Sequence, residues 1–119
     1  MKIVGDRMRS SIQSIDLNEN INSAAKKIYD NQIGSLLVTE EDKYIGIITK
    51  ADLMVKVLIK NLDGSTTCVA EIMSKPLITI DVSEPLENAH KLFDEKSIRH
   101  LAVSQNDEII GILSKKDLR

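Results

Sequence analysis

Two short runs carry the residues best suited to chemistry. Thr49 and Asp52 stand three apart in GIITKAD (46–52), and Ser114 and Asp117 stand three apart in GILSKKD (111–117). A hydroxyl followed three residues later by an acid is the pattern of a helix N-terminus, where both side chains bond backbone N–H groups of the first turn. The same carboxylate, ionised, offers two acceptor oxygens, enough for both hydroxyls of a vicinal diol. The helix-start N–H groups and the Thr49 or Ser114 hydroxyl are also suited to face ligand oxygens. Capping and binding both fit the pattern. Gly46 and Gly111 lie inside apolar, strand-like runs. Glycine there is costly, and its missing side chain lets something approach the backbone, either a ligand or another part of the chain.

Other chemistries lack their residues. There is no G-x-x-x-x-G-K-[ST], no G-x-S-x-G, and no set of Cys or His at metal-ligand spacing. His100 and the single cysteine, Cys68, do not make a nucleophile–base pair. Cys68 is expected to be a small, partly buried residue, and its lack of an internal partner fits a reducing, cytoplasmic setting. With 119 residues, a net charge of −2 and only 3% aromatics, the chain is sized for one compact domain with an aliphatic core. The acidic balance and scarce aromatics argue against nucleic-acid binding. The charged N-terminus MKIVGDRMR is not a signal peptide, and no apolar run is long enough for a membrane span.

The two runs belong to an internal repeat. A constant shift of 65 residues pairs Met8 with Met73, Ile15 with Ile80, Asp16 with Asp81, Glu19 with Glu84, Ala24 with Ala89, Val38 with Val103, Gly46 with Gly111 and Asp52 with Asp117. No gap interrupts the register from Val4/Val69 to Leu53/Leu118, and about a third of the aligned positions are identical. Each half predicts the same order of elements. A helical turn (4–8 or 69–73) leads into a strand (12–16 or 77–81). An amphipathic helix follows, with Ile21, Ala24, Ala25 and Ile28 on one face, or Leu86, Ala89 and Phe93 after the start signals Ser83 and Pro85. Two strands, 36–38 with 44–49 and 101–103 with 109–114, flank the polar turns EEDK (40–43) and QNDE (105–108). A second helix is expected from Lys50 to Leu62, ended by Asp63, Gly64 and Ser65. Its counterpart in the second half is nearly absent, because the sequence stops at Arg119. The expected fold is α/β with pseudo-twofold symmetry, divided into residues 1–62, a linker 63–68 and residues 69–119.

The doubled G-h-h-[ST]-x-x-D motif, with Met-Ser-Lys-Pro (73–76), Ile80-Asp81 and Ile98-Arg99-His100-Leu101-Ala102-Val103, resembles a tandem cystathionine-beta-synthase (CBS) domain pair, also called a Bateman module. The resemblance runs from about residue 4 to residue 118. It implies three-stranded sheets packed sheet to sheet. It also implies clefts between the repeats that take AMP, ADP, ATP, S-adenosylmethionine or a relative as ligand, with no catalytic cofactor, and a homodimer. In that likeness Asp52 and Asp117 bond the ribose hydroxyls. Ser14 and Thr79, at the ends of the first strands, line the adenine slot, and Ile12 and Leu77 touch the base. Arg99 and His100, where the first repeat has Gly34 and Ser35, reach phosphates. Each cleft is composite: Thr49 and Asp52 work with residues 77–79, and Ser114 and Asp117 with residues 12–14. The expected function is a non-catalytic ligand sensor that signals a target protein by conformational change. A structural dimer without ligand and a nucleic-acid-binding CBS protein stand as the alternatives.

Overall fold

The computed structural model describes residues 1–118; Arg119, the last residue of the expected second repeat, lies outside the described residues. Element order follows the repeat. A 3-10 turn (Val4–Asp6) leads to strand β1 (Ser14–Asp16), helix α1 (Ile21–Asn31) and a hairpin of β2 (Ser35–Glu40) and β3 (Lys43–Thr49). After β3 the chain is helical, with a π-helical stretch, Asp52–Val57, continued by the short α2 (Leu58–Lys60). The second copy has a 3-10 turn (Val69–Glu71), β4 (Thr79–Asp81), α3 (Leu86–Lys96), β5 (His100–Gln105), β6 (Glu108–Ser114) and a closing 3-10 turn (Lys115–Leu118). Each sheet has three strands. β1 runs parallel to β2, with α1 as crossover, and β2 pairs antiparallel with β3. β4, β5 and β6 repeat this register, down to a bulge after Val38 and after Val103.

The local causes are visible in the side chains. Ile21, Ala24 and Ile28 recur at helical spacing and are buried on one face of α1. Asn20 caps that helix by accepting from the Ser23 N–H at 2.8 Å. Both α1 and α3 end on a left-handed residue, Gln32 at φ 53° and Ser97 at φ 53°. The hairpins are two-residue loops with both central residues left-handed: Glu41 (φ 49°) and Asp42 (φ 65°), then Asn106 (φ 52°) and Asp107 (φ 67°). This twist matches the right-handed twist of the flanking strands.

Three expectations are corrected. The first strands are shorter than 12–16 and 77–81, so Ile12 and Leu77 lie in the preceding segments while Ser14 and Thr79 begin the strands. Ser83 does not start α3. Its N–H and hydroxyl both donate to the Asp81 carboxylate, and Pro85 occupies the position before the helix. Those bonds, the hydroxyl first, hold the Asp81 carboxyl below its ordinary range. The second helix of the first repeat ends at the left-handed Asn61 rather than at Leu62, and most of it is π-helical.

The compact units do not coincide with the sequence repeats. One unit is Gln13–Leu77; the other joins Met1–Ile12 to the chain from Ile78 onward. Each unit therefore takes the segment that leads the other repeat. In the first unit Val69 N–H donates to the Glu19 carbonyl at 2.8 Å, and Ser74 and Ile47 exchange backbone bonds at 2.8 and 3.0 Å. In the second, Val4 N–H donates to the Glu84 carbonyl at 2.8 Å, and Arg9 and Ile112 exchange bonds at 2.8 and 2.9 Å. The apolar clusters obey the same division. Ile15, Ile21, Ala24, Ile28, Leu36, Val38 and Ile48 close over Val69 and Ile72. Ile80, Ala89, Phe93, Leu101, Val103 and Leu113 close over Val4. Burying such side chains removes apolar area from water at about 25 cal/mol per Å², which is what fixes the borrowed segments in place.

Candidate functional site

The turn after β3 holds Thr49 and Asp52. Asp52 Oδ2 accepts from the Thr49 N–H at 2.9 Å and the Thr49 hydroxyl at 3.1 Å, while the Asp52 N–H donates to Thr49 Oγ1 at 3.1 Å. This is a closed capping box. The other carboxylate oxygen, Oδ1, meets the Lys56 ammonium at 3.0 Å. Lys56 is anchored a second time, donating to the Ile72 carbonyl at 2.8 Å. Gly34 and Ser35 lie beside this turn: the Lys50 N–H donates to the Gly34 carbonyl at 3.1 Å, and Ser35 pairs with Thr49 across the sheet. Leu77 belongs to the same unit and is half-buried.

The turn after β6 repeats the geometry with different neighbours. Asp117 Oδ2 accepts from the Ser114 N–H at 3.0 Å and the Ser114 hydroxyl at 2.9 Å. Its Oδ1 meets Arg9 Nη2 at 3.3 Å. Arg99 and His100 are brought to this turn by the fold: the Lys115 N–H donates to the Arg99 carbonyl at 2.8 Å, and His100 pairs with Ser114 across the sheet. Arg99 is exposed and His100 half-buried. Ile12 lies in this unit. Thr79 lies in it too, exposed on β4, whereas Ser14 lies in the other unit, half-buried on β1. Lys115 reaches toward Asp94, 3.5 Å away.

Among the described residues, one carboxylate oxygen in each turn is consumed by the cap and the other faces a single cation. Each side chain is only 12% exposed. An ionised oxygen with one donor keeps a lone pair for a further hydrogen bond. Capping and hydroxyl recognition are thus compatible roles for one carboxylate.

The glycines have a structural cause. A Cβ on Gly46 would stand 2.7 Å from the Ser74 carbonyl oxygen, and one on Gly111 would stand 2.8 Å from the Arg9 carbonyl oxygen. The close approach comes from the borrowed leading segments. Sequence reasoning missed Arg9 and Lys56. Lys56 was findable, since it lies four residues after Asp52 on a helix. Arg9 was not, because 108 residues separate it from Asp117 and its counterpart in the repeat is Ser74. Among the described residues no group of three or more His, Cys, Asp or Glu is placed to hold a metal ion, and no helix is long and apolar enough to cross a membrane.

The CBS domain model matches residues 4–59 and again residues 69–119. The chain belongs to the CBS domain family. As a tandem CBS pair it is 34% identical to the protein MK0525 of Methanopyrus kandleri over 97% of this chain and 60% of that protein, so the chain spans less than two thirds of that relative. The hexameric CBS-CP12 protein from bloom-forming cyanobacteria superposes with a TM-score of 0.90 at 28% identity, covering 99% of this chain and 69% of that one. The CBS domain pair of protein MJ0100, solved in complex with 5'-methylthioadenosine and S-adenosyl-L-methionine, superposes with a TM-score of 0.88 at 26% identity, covering 99% of this chain and 93% of that chain. The two CBS repeats thus each supply one motif turn.

Proposed function

We propose that this CBS pair is a non-catalytic regulatory module that binds an adenosyl compound (AMP, ADP, ATP or S-adenosylmethionine) at the Thr49–Asp52 and Ser114–Asp117 turns. The observation that carries this reading is the doubled carboxylate. Asp52 and Asp117 each commit Oδ2 to the turn and keep a lone pair on Oδ1, on a side chain 12% exposed. Such an oxygen is pre-positioned to accept from a ribose hydroxyl. The adenosyl ligands of MJ0100 support the class of compound. Ile12 and Leu77 supply apolar contact to the base, Ser14 and Thr79 flank the purine, and Arg99 and His100 attract phosphate. Ligand binding shifts the balance between conformations by its difference in affinity for them, and a target protein in the cytoplasm reads the shift.

The test is a thermal shift against adenosine, AMP, ADP, ATP, S-adenosylmethionine and a non-adenosyl control such as GTP. A ligand at 100 times its Kd stabilises by about 2.7 kcal/mol. The reading expects at least one adenosyl compound to do so, and expects the stabilisation to fall to about half or less in the Asp52→Ala/Asp117→Ala double variant. No shift with any of them supports a purely structural protein. The module is also proposed to be a homodimer. Met54, Val55, Leu58 and Ile59 expose 64%, 52%, 74% and 77% of their surface along one helical stretch, an apolar face suited to a second copy. Sedimentation at micromolar concentration should give twice the monomer mass; a monomer there removes the dimer.

A further inference from the structure

We propose that Arg9 is the specificity-determining residue of the Asp117 turn, favouring ribosyl ligands that carry phosphate and a net negative charge, the nucleotides, over the net-cationic S-adenosylmethionine and the neutral adenosine. The inference rests on the ribose-binding reading above and adds to it a residue from outside the motif.

Arg9 comes from the segment that leads the first repeat, yet its backbone is locked to β6 by reciprocal bonds with Ile112 at 2.8 and 2.9 Å. That pairing aims its side chain at the turn of the second repeat, where Nη2 meets Asp117 Oδ1 at 3.3 Å. A guanidinium has five N–H donors in a fixed fork. One of them faces Asp117, so the group keeps donors for a second anion while it still touches the carboxylate. Arg9 is 51% exposed, which leaves its outer edge open to an arriving ligand. A ligand that bonds Asp117 through its ribose therefore presents its remaining substituents beside a fixed positive charge. Phosphate gains charge-assisted, bidentate bonds there. A sulfonium meets repulsion, and a neutral nucleoside gains nothing.

The other turn lacks this device. Ser74 stands where Arg9 stands, and Asp52 is served by Lys56 from its own helix. Two of the three Lys56 ammonium donors are committed to the protein, to Asp52 Oδ1 at 3.0 Å and the Ile72 carbonyl at 2.8 Å, which leaves one donor and no planar fork for a phosphate. The two turns thus differ in ligand charge preference although their motifs match.

Titration calorimetry of the whole protein with adenosine, AMP, ATP and S-adenosylmethionine tests this, using Arg9→Ser, Arg9→Lys and the mirror variant Ser74→Arg. Arg9→Ser should weaken ATP at one of the two sites by about tenfold or more, the loss of a hydrogen-bonded charge pair. It should leave adenosine unchanged and improve S-adenosylmethionine at that site. Arg9→Lys keeps the charge without the fork and should fall between. Ser74→Arg should raise ATP affinity at the other site. Equal losses for adenosine and ATP in Arg9→Ser, or no change in either, overturn the role of Arg9 while leaving the adenosyl reading standing. A wild-type protein that binds none of the four compounds overturns both.

Discussion

The two units solve one problem with different means. Each must hold an acid at the end of its third strand, with one oxygen in the cap and a cation on the other. In the unit built on residues 13–77 the cation is local: Lys56, four residues along the same helix. In the other it is remote: Arg9, 108 residues away in sequence. There the borrowed leading segment supplies the charge. The comparison shows that a repeated motif fixes the geometry of an acid without fixing its electrostatics. Those depend on which part of the chain the fold brings alongside.

The comparison breaks most visibly in the cores. Phe93 sits where the other unit has Ile28, and both are buried, at 1% and 3% exposure. Replacing Phe93 by alanine should cost about 3–5 kcal/mol through lost burial and an unfilled cavity. Urea denaturation checks this, and a loss under about 1 kcal/mol would show that the cluster collapses around the gap. A smaller effect is expected at the glycines. Gly46→Ala and Gly111→Ala each press a methyl against a backbone carbonyl that is itself hydrogen-bonded, so each should cost about 1–3 kcal/mol. Equal losses in the two variants would mean that the borrowed segments are held equally firmly; a near-neutral variant would mark the unit whose segment yields.

Ligand binding sharpens the comparison. Asp52→Ala and Asp117→Ala should each remove one of two adenosyl sites, with affinity there falling about ten- to hundredfold, or about 1–3 kcal/mol. Calorimetric stoichiometry reads the result, and full binding in both variants returns the acids to helix capping alone. Arg99→Ala should penalise ATP more than adenosine, because it removes an exposed positive charge beside the Ser114–Asp117 turn and leaves the carboxylate in place; equal losses by calorimetry would remove that role. The smallest effect lies in the hairpins. Glu41 and Asn106 hold the same left-handed position, at φ 49° and 52°. Asparagine tolerates that conformation better than glutamate, so Glu41→Asn should stabilise by up to about 1 kcal/mol. An unchanged melting temperature would show that the Glu41 backbone is not strained.

Much of this was legible in the residues because its signals are local. The shift of 65 exposes the doubling. The helical spacing of Ile21, Ala24 and Ile28 marks α1, and the polar pairs Glu41-Asp42 and Asn106-Asp107 mark the hairpins. The acids of the motif turns were legible for the same reason, since cap and carboxylate lie three residues apart. What escaped depends on contacts distant in sequence. No pattern in residues 1–12 says that they pair with Ile112, so neither the Arg9–Asp117 contact nor the cause of Gly111 was readable. The π-helical stretch also escaped, because its residues, from Asp52 to Val57, are ordinary helix formers with no sequence mark of wider winding.

The exchange of leading segments gives the two units different histories on the ribosome. Residues 13–77 form one uninterrupted stretch and have all their partners once Leu77 has emerged. The other unit joins residues 1–12 to the chain from Ile78 onward, so residues 1–12 wait for those partners through the synthesis of residues 13–77. Its closure couples residues as far apart as Arg9 and Asp117, 108 positions, and so carries a larger loop entropy than the unit built on residues 13–77. Damage follows the same logic. Trimming the N-terminal residues strips Val4 from the core around Phe93 and Arg9 from Asp117, so a lesion at the start of the chain is felt in the repeat at its end.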